Sequence, residues 1–520
     1  MKLLDQIPEF IRLPGALPAF RAVVTSGQLI AFAQAVKQAG GRFVTLWGVD
    51  ERDAPGRGFS VHVAFSIQEG LALTSVALSA TQPEFPDLAG IFPTANRLQR
   101  ATHDLFGIVP LGTTEQAADT RPWLRHANWP ADYFPLRRDT DTSRQFATQN
   151  EDYPFVRVAG DGVHEIVVGP VHAGIIEPGQ FCFSVVGEKI LRLEQRMGWK
   201  HKGIEKRFEQ LPLANGYKLA GRVSGDATVA YAWAYCLAAE SLATCVPPHR
   251  AVWLRALLLE RERIANHLGD LGALGNDAGL AFGLSQFMRL REDWLRLSGE
   301  LFGHRLTMDC IVPGGVAIDL NSDGVARLNA QCDAIEREVR TLCSLYEEHA
   351  GLQDRFVTSG RLEPKLATEF CVSGVAGRAS SQARDLRTQN AIAPYDQLDV
   401  QITTRRNGDV AARVAVRFDE IFESLRLIRQ ICLQLPHGAT RVSFPPACAG
   451  TFAVGWIEGW RGDVFVALEA GVDGGIRRCH CHDSSWHCWP ALEHATMGNI
   501  VPDFPLINKS FNLSYSGEDL

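Results

Sequence analysis

The run from Ala227 to Val246 constrains the fold more than any other stretch of the chain. It is rich in Ala, Val, Tyr, Trp and Leu. Its length approaches the roughly 20 residues that a helix needs to cross a bilayer. It also carries Glu240 and several small polar residues. It therefore reads as a helix buried in a protein core, not as a membrane span. A chain of this kind meets a membrane only through partners. At 520 residues there is enough chain for two or more domains, each with its own core. The 46% hydrophobic and 21% charged content is that of soluble globular protein. A net charge of -7 gives no electrostatic reason to bind nucleic acid. The stretch Met1 to Glu9 has no long apolar segment, so no signal peptide is expected. The 12 cysteines are scattered without a framework, which fits reduced cytosolic thiols better than disulfides.

The pattern predicts an α+β chain. The first unit, residues 1–140, reads as α/β. Val61 to Phe65 alternates like a strand, Leu71 to Val76 is its expected neighbour, and Gly27 to Ala39 reads as an amphipathic helix. Residues 141–160 are crowded with polar side chains, among them Asp141, Ser143, Gln149, Asn150 and Asp152, and read as a linker. The second unit, residues 161–520, is expected to be mainly helical with small sheets. His164 to Val168 and Phe181 to Val186 read as a strand pair. Helical patterns run from near Pro247 to Leu271, from Val325 to His349 and from Phe418 to Leu435, and a strand-rich tail starts near Val442.

Several segments carry a resemblance. Asp104-Leu105-Phe106-Gly107-Ile108 and Pro135-Leu136-Arg137-Arg138-Asp139 resemble the D-L-F-G-I and P-L-R-K-D signatures of the C subunit of bacterial NADH:quinone oxidoreductase, respiratory complex I. Gly169-Pro170-Val171-His172, His201-Lys202-Gly203-Ile204-Glu205-Lys206, the helix segment Glu260 to Asp270, Pro313-Gly314-Gly315-Val316, Ser373-Gly374-Val375 and Gly498 to Ile507 resemble the complex I D subunit. They equally resemble the large subunit of energy-converting, formate-hydrogenlyase-type membrane-bound nickel–iron hydrogenases. The chain is thus similar to a fused C/D-type subunit. The resemblance implies a C-subunit-like α/β domain followed by a hydrogenase-large-subunit-like domain.

Four cysteines of the hydrogenase pattern are missing. Arg222-Val223-Ser224-Gly225-Asp226-Ala227 stands where R-x-C-G-x-C is found, and Asn512-Leu513-Ser514-Tyr515-Ser516-Gly517 where D-P-C-x-x-C is found. Ser224, Ala227, Ser514 and Gly517 occupy the ligand positions. Nickel in that site is held by soft thiolates. A serine hydroxyl is a hard, protonated donor, and alanine and glycine donate nothing, so nickel is not expected. The ending Gly517-Glu518-Asp519-Leu520 resembles the end of complex I D subunits, so the C-terminal extension that nickel enzymes lose on maturation is not expected.

The resemblance also implies site residues. It puts the quinone-head histidine at His172 and the partner tyrosine at Gly225, so that phenol is absent. His172 reads alternatively as a structural histidine bonded to backbone. Asp277 falls at an acidic position where burial would raise the carboxyl and allow proton relay. A helix cap or a surface ion pair is the other reading. Lys202 replaces an arginine that lies towards the partner's iron–sulfur cluster; it keeps the charge and loses the planar fork. Glu205 reads as a proton-path residue or a packing ion pair. Arg478-Cys479-His480-Cys481-His482-Asp483, with His487 and Cys488, looks like a metal knot. Its spacing is wrong for zinc, and strand alternation puts the cysteines on one face and the histidines on the other. No cysteine cluster fits an iron–sulfur site and no G-x-G-x-x-G is present.

These readings imply a peripheral-arm subunit on the cytoplasmic side of the inner membrane, holding no cofactor itself. Its partners would be a 4Fe-4S small subunit, a ferredoxin-like electron-input subunit and antiporter-like integral membrane subunits. It would couple electron transfer to quinone reduction, ion translocation or both. The alternatives are a catalytically silent scaffold between redox and membrane modules and, against the lost ligands, an active hydrogenase large subunit.

Overall fold

The computed structural model describes residues 3–7, 9–112, 117–126, 129–147, 152–173 and 176–520. The N-terminal sheet has the strands β1 (Ile11–Arg12), β2 (Ala19–Val23), β3 (Arg42–Asp50), β4 (Phe59–Ile67) and β5 (Gly70–Leu78), in the order β1-β2-β5-β4-β3. Its pairs are antiparallel except β2 with β5. The helix α1 (Ser26–Gln38) starts in a capping box at Thr25 and Gln28, and its Phe32 meets Phe65 edge-on at 5.7 Å. The helix α2 (Ala95–Phe106) lies so close to β3 that a Cβ on Gly48 would stand 2.9 Å from Phe106 and Ile108. Every residue of β3 is buried, so both faces of that strand are covered. The expected strands Val61–Phe65 and Leu71–Val76 are the cores of β4 and β5.

A short parallel pair, β6 (Glu84–Pro86) and β7 (Val109–Leu111), precedes the second sheet. That sheet is an antiparallel meander of β8 (Val163–Val168), β9 (Gln180–Val186) and β10 (Lys189–Arg196). The predicted pair is β8 and β9, and β10 extends it. His172 lies in the loop beyond β8, not on a strand. Between 141 and 160 the described residues form no helix or strand, yet Tyr153 is buried and accepts from Arg100 Nη2 at 2.5 Å. Gln149 and Asn150 fall outside the described residues.

The helical part begins with α3 (Ile204–Phe208), α4 (Gly216–Ala220) and α5 (Thr228–Leu242). Helix α5 is the apolar run, and it is a core helix. It packs against β13 (Phe452–Glu458) and β14 (Asp463–Ala470), two strands of the C-terminal sheet that follow the short hairpin β11 (Ile311–Val312) and β12 (Gly315–Val316). A Cβ on Gly455 would sit 1.8 Å from the Ala234 carbonyl oxygen, so only glycine permits that approach. Glu240, the one acidic residue of α5, pairs with buried Arg255 at 2.6 Å and accepts from the Gly314 amide at 2.8 Å. Among the described residues no helix is long and apolar enough to cross a membrane.

The long helices α6 (His249–Asp277), α7 (Ala281–Phe302) and α8 (Ser322–Glu348) follow, then the short α9 (Ala350–Phe356), α10 (Pro364–Glu369), α11 (Gly374–Ala379) and α12 (Leu386–Gln389), and the long α13 (Val410–Gln434). Helix α6 continues past the expected Leu271, and α13 starts well before Phe418, at the Asp409 cap that accepts from the Ala412 amide. After Val442 the tail is strand-rich only through β15 (Ile476–Asp483). It then turns helical as α14 (Ser485–Thr496), α15 (Phe504–Phe511) and α16 (Tyr515–Asp519).

The N-terminal sheet is docked on the C-terminal one. Trp47 of β3 stacks between His62 at 5.2 Å and His480 of β15 at 4.9 Å. Thr45 Oγ1 bonds His480 Nε2 at 2.9 Å, and His487 Nε2 bonds the Val44 carbonyl at 2.8 Å.

Candidate active-site cavity

Two turns far apart in sequence meet at the N-termini of α5 and α16. Ser224 precedes α5, and Ser514 caps α16 by accepting from the Gly517 amide at 2.9 Å. The two hydroxyls are 3.0 Å apart. Ser224 Oγ donates to Asp226 Oδ1 at 2.7 Å, so Ser514 must donate the shared bond. Ala227 adds no polar atom. An added Cβ on Gly517 would lie 2.8 Å from Asp483 Oδ2. The four ligand positions expected from the sequence are therefore occupied by two bonded hydroxyls, a methyl group and a hydrogen. That donor set does not match the soft thiolates that hold nickel.

This cluster forms one wall of an open cavity of about 430 Å³, lined also by Asp226, Asp277, Arg461, Lys509 and Tyr515. Arg461 pairs with Asp226 at 2.6 Å, donates to the Asn512 carbonyl at 2.5 Å and lies over the Trp460 ring. Asp483, behind the serines, accepts from Tyr231 at 3.2 Å and from the Ser485 amide at 2.8 Å. Tyr515 comes from α16, where burial pushes its phenol up to about 12, so it stays a hydrogen-bond donor near neutral pH.

Asp277 is the last residue of α6 and stands exposed on the cavity wall. Partial loss of water raises its carboxyl above the usual range, and the charge of Lys509 opposes the rise. His172 is one residue removed from the cavity. Its Nε2 bonds the Gly179 carbonyl at 2.7 Å, and Gly179 abuts the Tyr515 ring, where a Cβ would come within 2.7 Å. Lys202 is half-buried and tied by its amide to the Leu520 carbonyl at 2.8 Å; desolvation lowers its ammonium below the usual range. Asp519 accepts from the Gly198 and Lys200 amides at 2.7 Å each, which anchors the segment that carries Lys202.

Glu205 is elsewhere, buried between the two sheets. Arg478 Nη2 donates to its Oε2 at 2.9 Å, and His480 Nδ1 bonds its Oε1 at 2.7 Å. Burial opposes the charge, but Arg478 and His480 outweigh it and hold the carboxyl down to about 2. The suspected metal knot is dispersed in the same region. The histidine His480 faces β3, while Cys479 and Cys481 are buried on the opposite face of β15 towards Tyr235. Among the described residues no group of three His, Cys, Asp or Glu side chains could hold a metal ion.

Sequence reasoning missed Asp226, Arg461, Asp483, Lys509 and Tyr515 as members of one site. Asp226 and Tyr515 stand between the expected ligand positions, Asp483 ends the suspected metal knot, and Arg461 and Lys509 stand in no motif.

Two family descriptions match the chain. Respiratory-chain NADH dehydrogenase, 30 Kd subunit, matches residues 22–146, and the 49 Kd subunit of the same enzyme matches residues 277–452. Formate hydrogenlyase subunit 5 of Escherichia coli K12 is 32% identical over 92% of this chain and 85% of its own length. Hydrogenase-4 component G of the same organism is 30% identical over 93% of this chain and 84% of its own length. The C/D subunit of NADH-quinone oxidoreductase from Bacteroides thetaiotaomicron is 28% identical over 88% of this chain and 90% of its own length. A chain in the structure of the membrane-bound sulfane sulfur reductase, an archaeal respiratory membrane complex, shares the fold with a TM-score of 0.65 at 24% identity, over 70% of this chain and 100% of that one. Fold, cavity and relatives define a subunit of a complex I-like or hydrogenase-related membrane complex. The chain belongs to the family in which the complex I 30 Kd-type and 49 Kd-type units are fused, with formate hydrogenlyase subunit 5 and hydrogenase-4 component G among its relatives.

Proposed function

We propose that this chain is the peripheral-arm coupling subunit of such a complex and works without nickel. The observation that carries the reading is the Ser224–Ser514 pair at 3.0 Å, where thiolates would be required, on the wall of a cavity that keeps its charged groups. Electrons arrive at a 4Fe-4S cluster in a small partner subunit, fed by a ferredoxin-like subunit. The cavity takes the quinone acceptor, and antiporter-like membrane subunits move the ion on the cytoplasmic side of the inner membrane.

The cavity's own residues suit proton supply to an acceptor. Gly225 carries no phenol and an added Cβ there would meet nothing within 4 Å, while Tyr515 brings a protonated phenol to the same space. Asp277 supplies an exchangeable carboxyl at the wall and Arg461 and Lys509 supply positive charge. His172 orients the Gly179 turn behind Tyr515. Residues 1–140 and 161–520 act as the two units of this subunit, joined through 141–160.

The test is purification of the tagged chain from detergent-solubilised membranes, with mass spectrometry of the co-purifying proteins and metal analysis. An iron–sulfur small subunit with antiporter-like membrane proteins, and no stoichiometric nickel, is the expected result. A chain recovered alone, or with nickel, overturns the reading.

A further inference from the structure

Helices α6 and α13 face each other with matching polar stripes through the core. On α6, Glu260, Arg263, His267 and Asp270 follow at steps of three, four and three, which is one face of a helix. On α13, Arg413, Arg417, Glu420 and Ser424 follow at steps of four, three and four, again one face. The stripes join rung by rung. Ser424 Oγ donates to Glu260 Oε2 at 2.6 Å, His267 Nε2 bonds Glu420 Oε2 at 2.8 Å, and Arg417 Nε donates to Asp270 Oδ2 at 2.9 Å. All these side chains are buried.

At its inner end the seam crowds three carboxylates around one guanidinium. Arg378 of α11 reaches Glu420 at 2.7 Å, Glu458 at 2.8 Å and Asp385 at 3.5 Å. Asp385 has a second cation in Arg387 at 2.7 Å, and Glu420 has one in Arg263 at 3.7 Å. Glu458, at the end of β13, shares Arg378 and, among the described residues, otherwise accepts only from the Leu386 amide at 3.1 Å. The other charges around it are Asp463 on β14, and Arg263 on α6, which donates to the Glu458 main-chain oxygen at 2.9 Å. Like charges in a desolvated site favour one of them holding a proton.

At its outer end the seam reaches the cavity. Asn512 Nδ2 donates to Asp270 Oδ1 at 2.6 Å, and Lys509 Nζ stands 3.8 Å from the same oxygen. Both residues line the cavity wall. Between the ends, His267 Nδ1, Arg417 Nη2 and Arg378 Nη2 are buried without a hydrogen-bond partner among the described residues. Buried polar atoms of this kind recruit water. Burial, with the guanidiniums of Arg417 and Arg263, lowers the His267 imidazole below its usual range, against the pull of Glu420, and so favours the neutral ring. Its Nε2 proton then faces the Glu420 carboxylate, which leaves Nδ1 as a bare acceptor.

We propose that the α6–α13 seam is a proton store for the cavity, with the stored proton on Glu458 as a neutral carboxylic acid and its route running past His267 and Asp270 to Lys509. The proton leaves the Glu458 O–H bond, whose electron pair remains as a carboxylate facing Arg378, and it ends on a basic oxygen in the cavity. No electron moves in this step. Burial together with the charge of Asp385 raises the Glu458 carboxyl, in agreement with the geometry. The use of the proton rests on the coupling function proposed above; its storage does not.

The first experiment therefore needs only the full-length chain. Glu458→Gln replaces a neutral acid by its neutral isostere and should leave the unfolding temperature close to that of wild type. Glu420→Gln removes an ionised partner of Arg378 and His267 and should lower it clearly. If Glu458→Gln destabilises as much as Glu420→Gln, Glu458 is an ordinary ion-pair carboxylate and the proposal falls. Infrared titration of the wild-type chain provides a second readout. A protonated-carboxyl band that persists above about pH 5, and is lost in Glu458→Gln, supports the store; its absence overturns it. In the intact membrane complex, Glu458→Gln should slow coupled turnover about tenfold or more while electrons still reach the iron–sulfur cluster. Unchanged coupled turnover overturns the proposal. A wild-type complex with no coupled activity overturns the functional reading alone and leaves the infrared result standing.

Discussion

The hydroxyls of Ser224 and Ser514 lie 3.0 Å apart although 290 positions separate them in the chain. The bond closes the N-termini of two helices on each other and fixes the wall of the cavity. Ser514→Ala removes both the cap of α16 and the donor to Ser224, and should cost about 1 to 2 kcal/mol. Ser224→Ala should cost less, about 1 kcal/mol, because Asp226 keeps Arg461. Chemical denaturation of the full-length protein checks the order of the two.

Glu205 predicts an acid-side instability. Its folded carboxyl is held at about 2, against about 4.3 for an unfolded glutamate. A depressed carboxyl contributes its stability above the unfolded value and loses it as the pH falls through the folded one. The loss should therefore fall between about pH 4.3 and pH 2. Glu205→Gln strands buried Arg478 and should cost about 3 to 5 kcal/mol at neutral pH. The gap between variant and wild type should narrow across that acid window, which a pH series of unfolding curves would reveal.

Trp47 predicts the strength of the docking between the two sheets. Trp47→Ala empties the slot between His62 and His480 and should cost about 3 to 5 kcal/mol. Thr45→Val removes only the bond to His480 and should cost about 1 kcal/mol or somewhat more. Equal effects would contradict the stack as the main contact.

Tyr515 and Asp277 should matter to turnover more than to folding. The Tyr515 hydroxyl has one weak bond, from Asn508 at 3.4 Å, so Tyr515→Phe should unfold within about 1 kcal/mol of wild type. In the intact complex it should lower acceptor reduction about a hundredfold if the phenol supplies a proton. Asp277→Asn should flatten the part of the pH profile that belongs to a raised carboxyl. Steady-state rates across pH decide both.

Much of the fold is legible in the sequence because periodicity survives in long elements. The stripe of α8, the alternation of Val61 to Phe65 in β4 and the apolar run of α5 each carry their signal within a few residues or turns. The early start of α13 is marked by the Asp409 cap and by Val410, Val414 and Val416, set around the buried Arg413 and Arg417. The candidate site is only half legible. The motifs give Ser224, Ala227, Ser514 and Gly517, and the structure brings them together. Arg461 and Asp483 come from the C-terminal sheet and its exit, and no spacing rule links them to Asp226 or Tyr231. Glu205 reads equally as proton path or ion pair in the sequence, and its partners Arg478 and His480 emerge only when the chain is folded.

Gly517 sets how much room the site has. Any side chain there, a thiol included, starts with a Cβ 2.8 Å from Asp483 Oδ2 and from Ser514 Oγ. Tyr231 and the Ser485 amide hold that carboxylate in place. These neighbours occupy the room that a larger residue would need. A larger residue at Gly517 therefore has to displace the Asp483 carboxylate, and with it the contacts to Tyr231 and the first turn of α14, before it can point into the site.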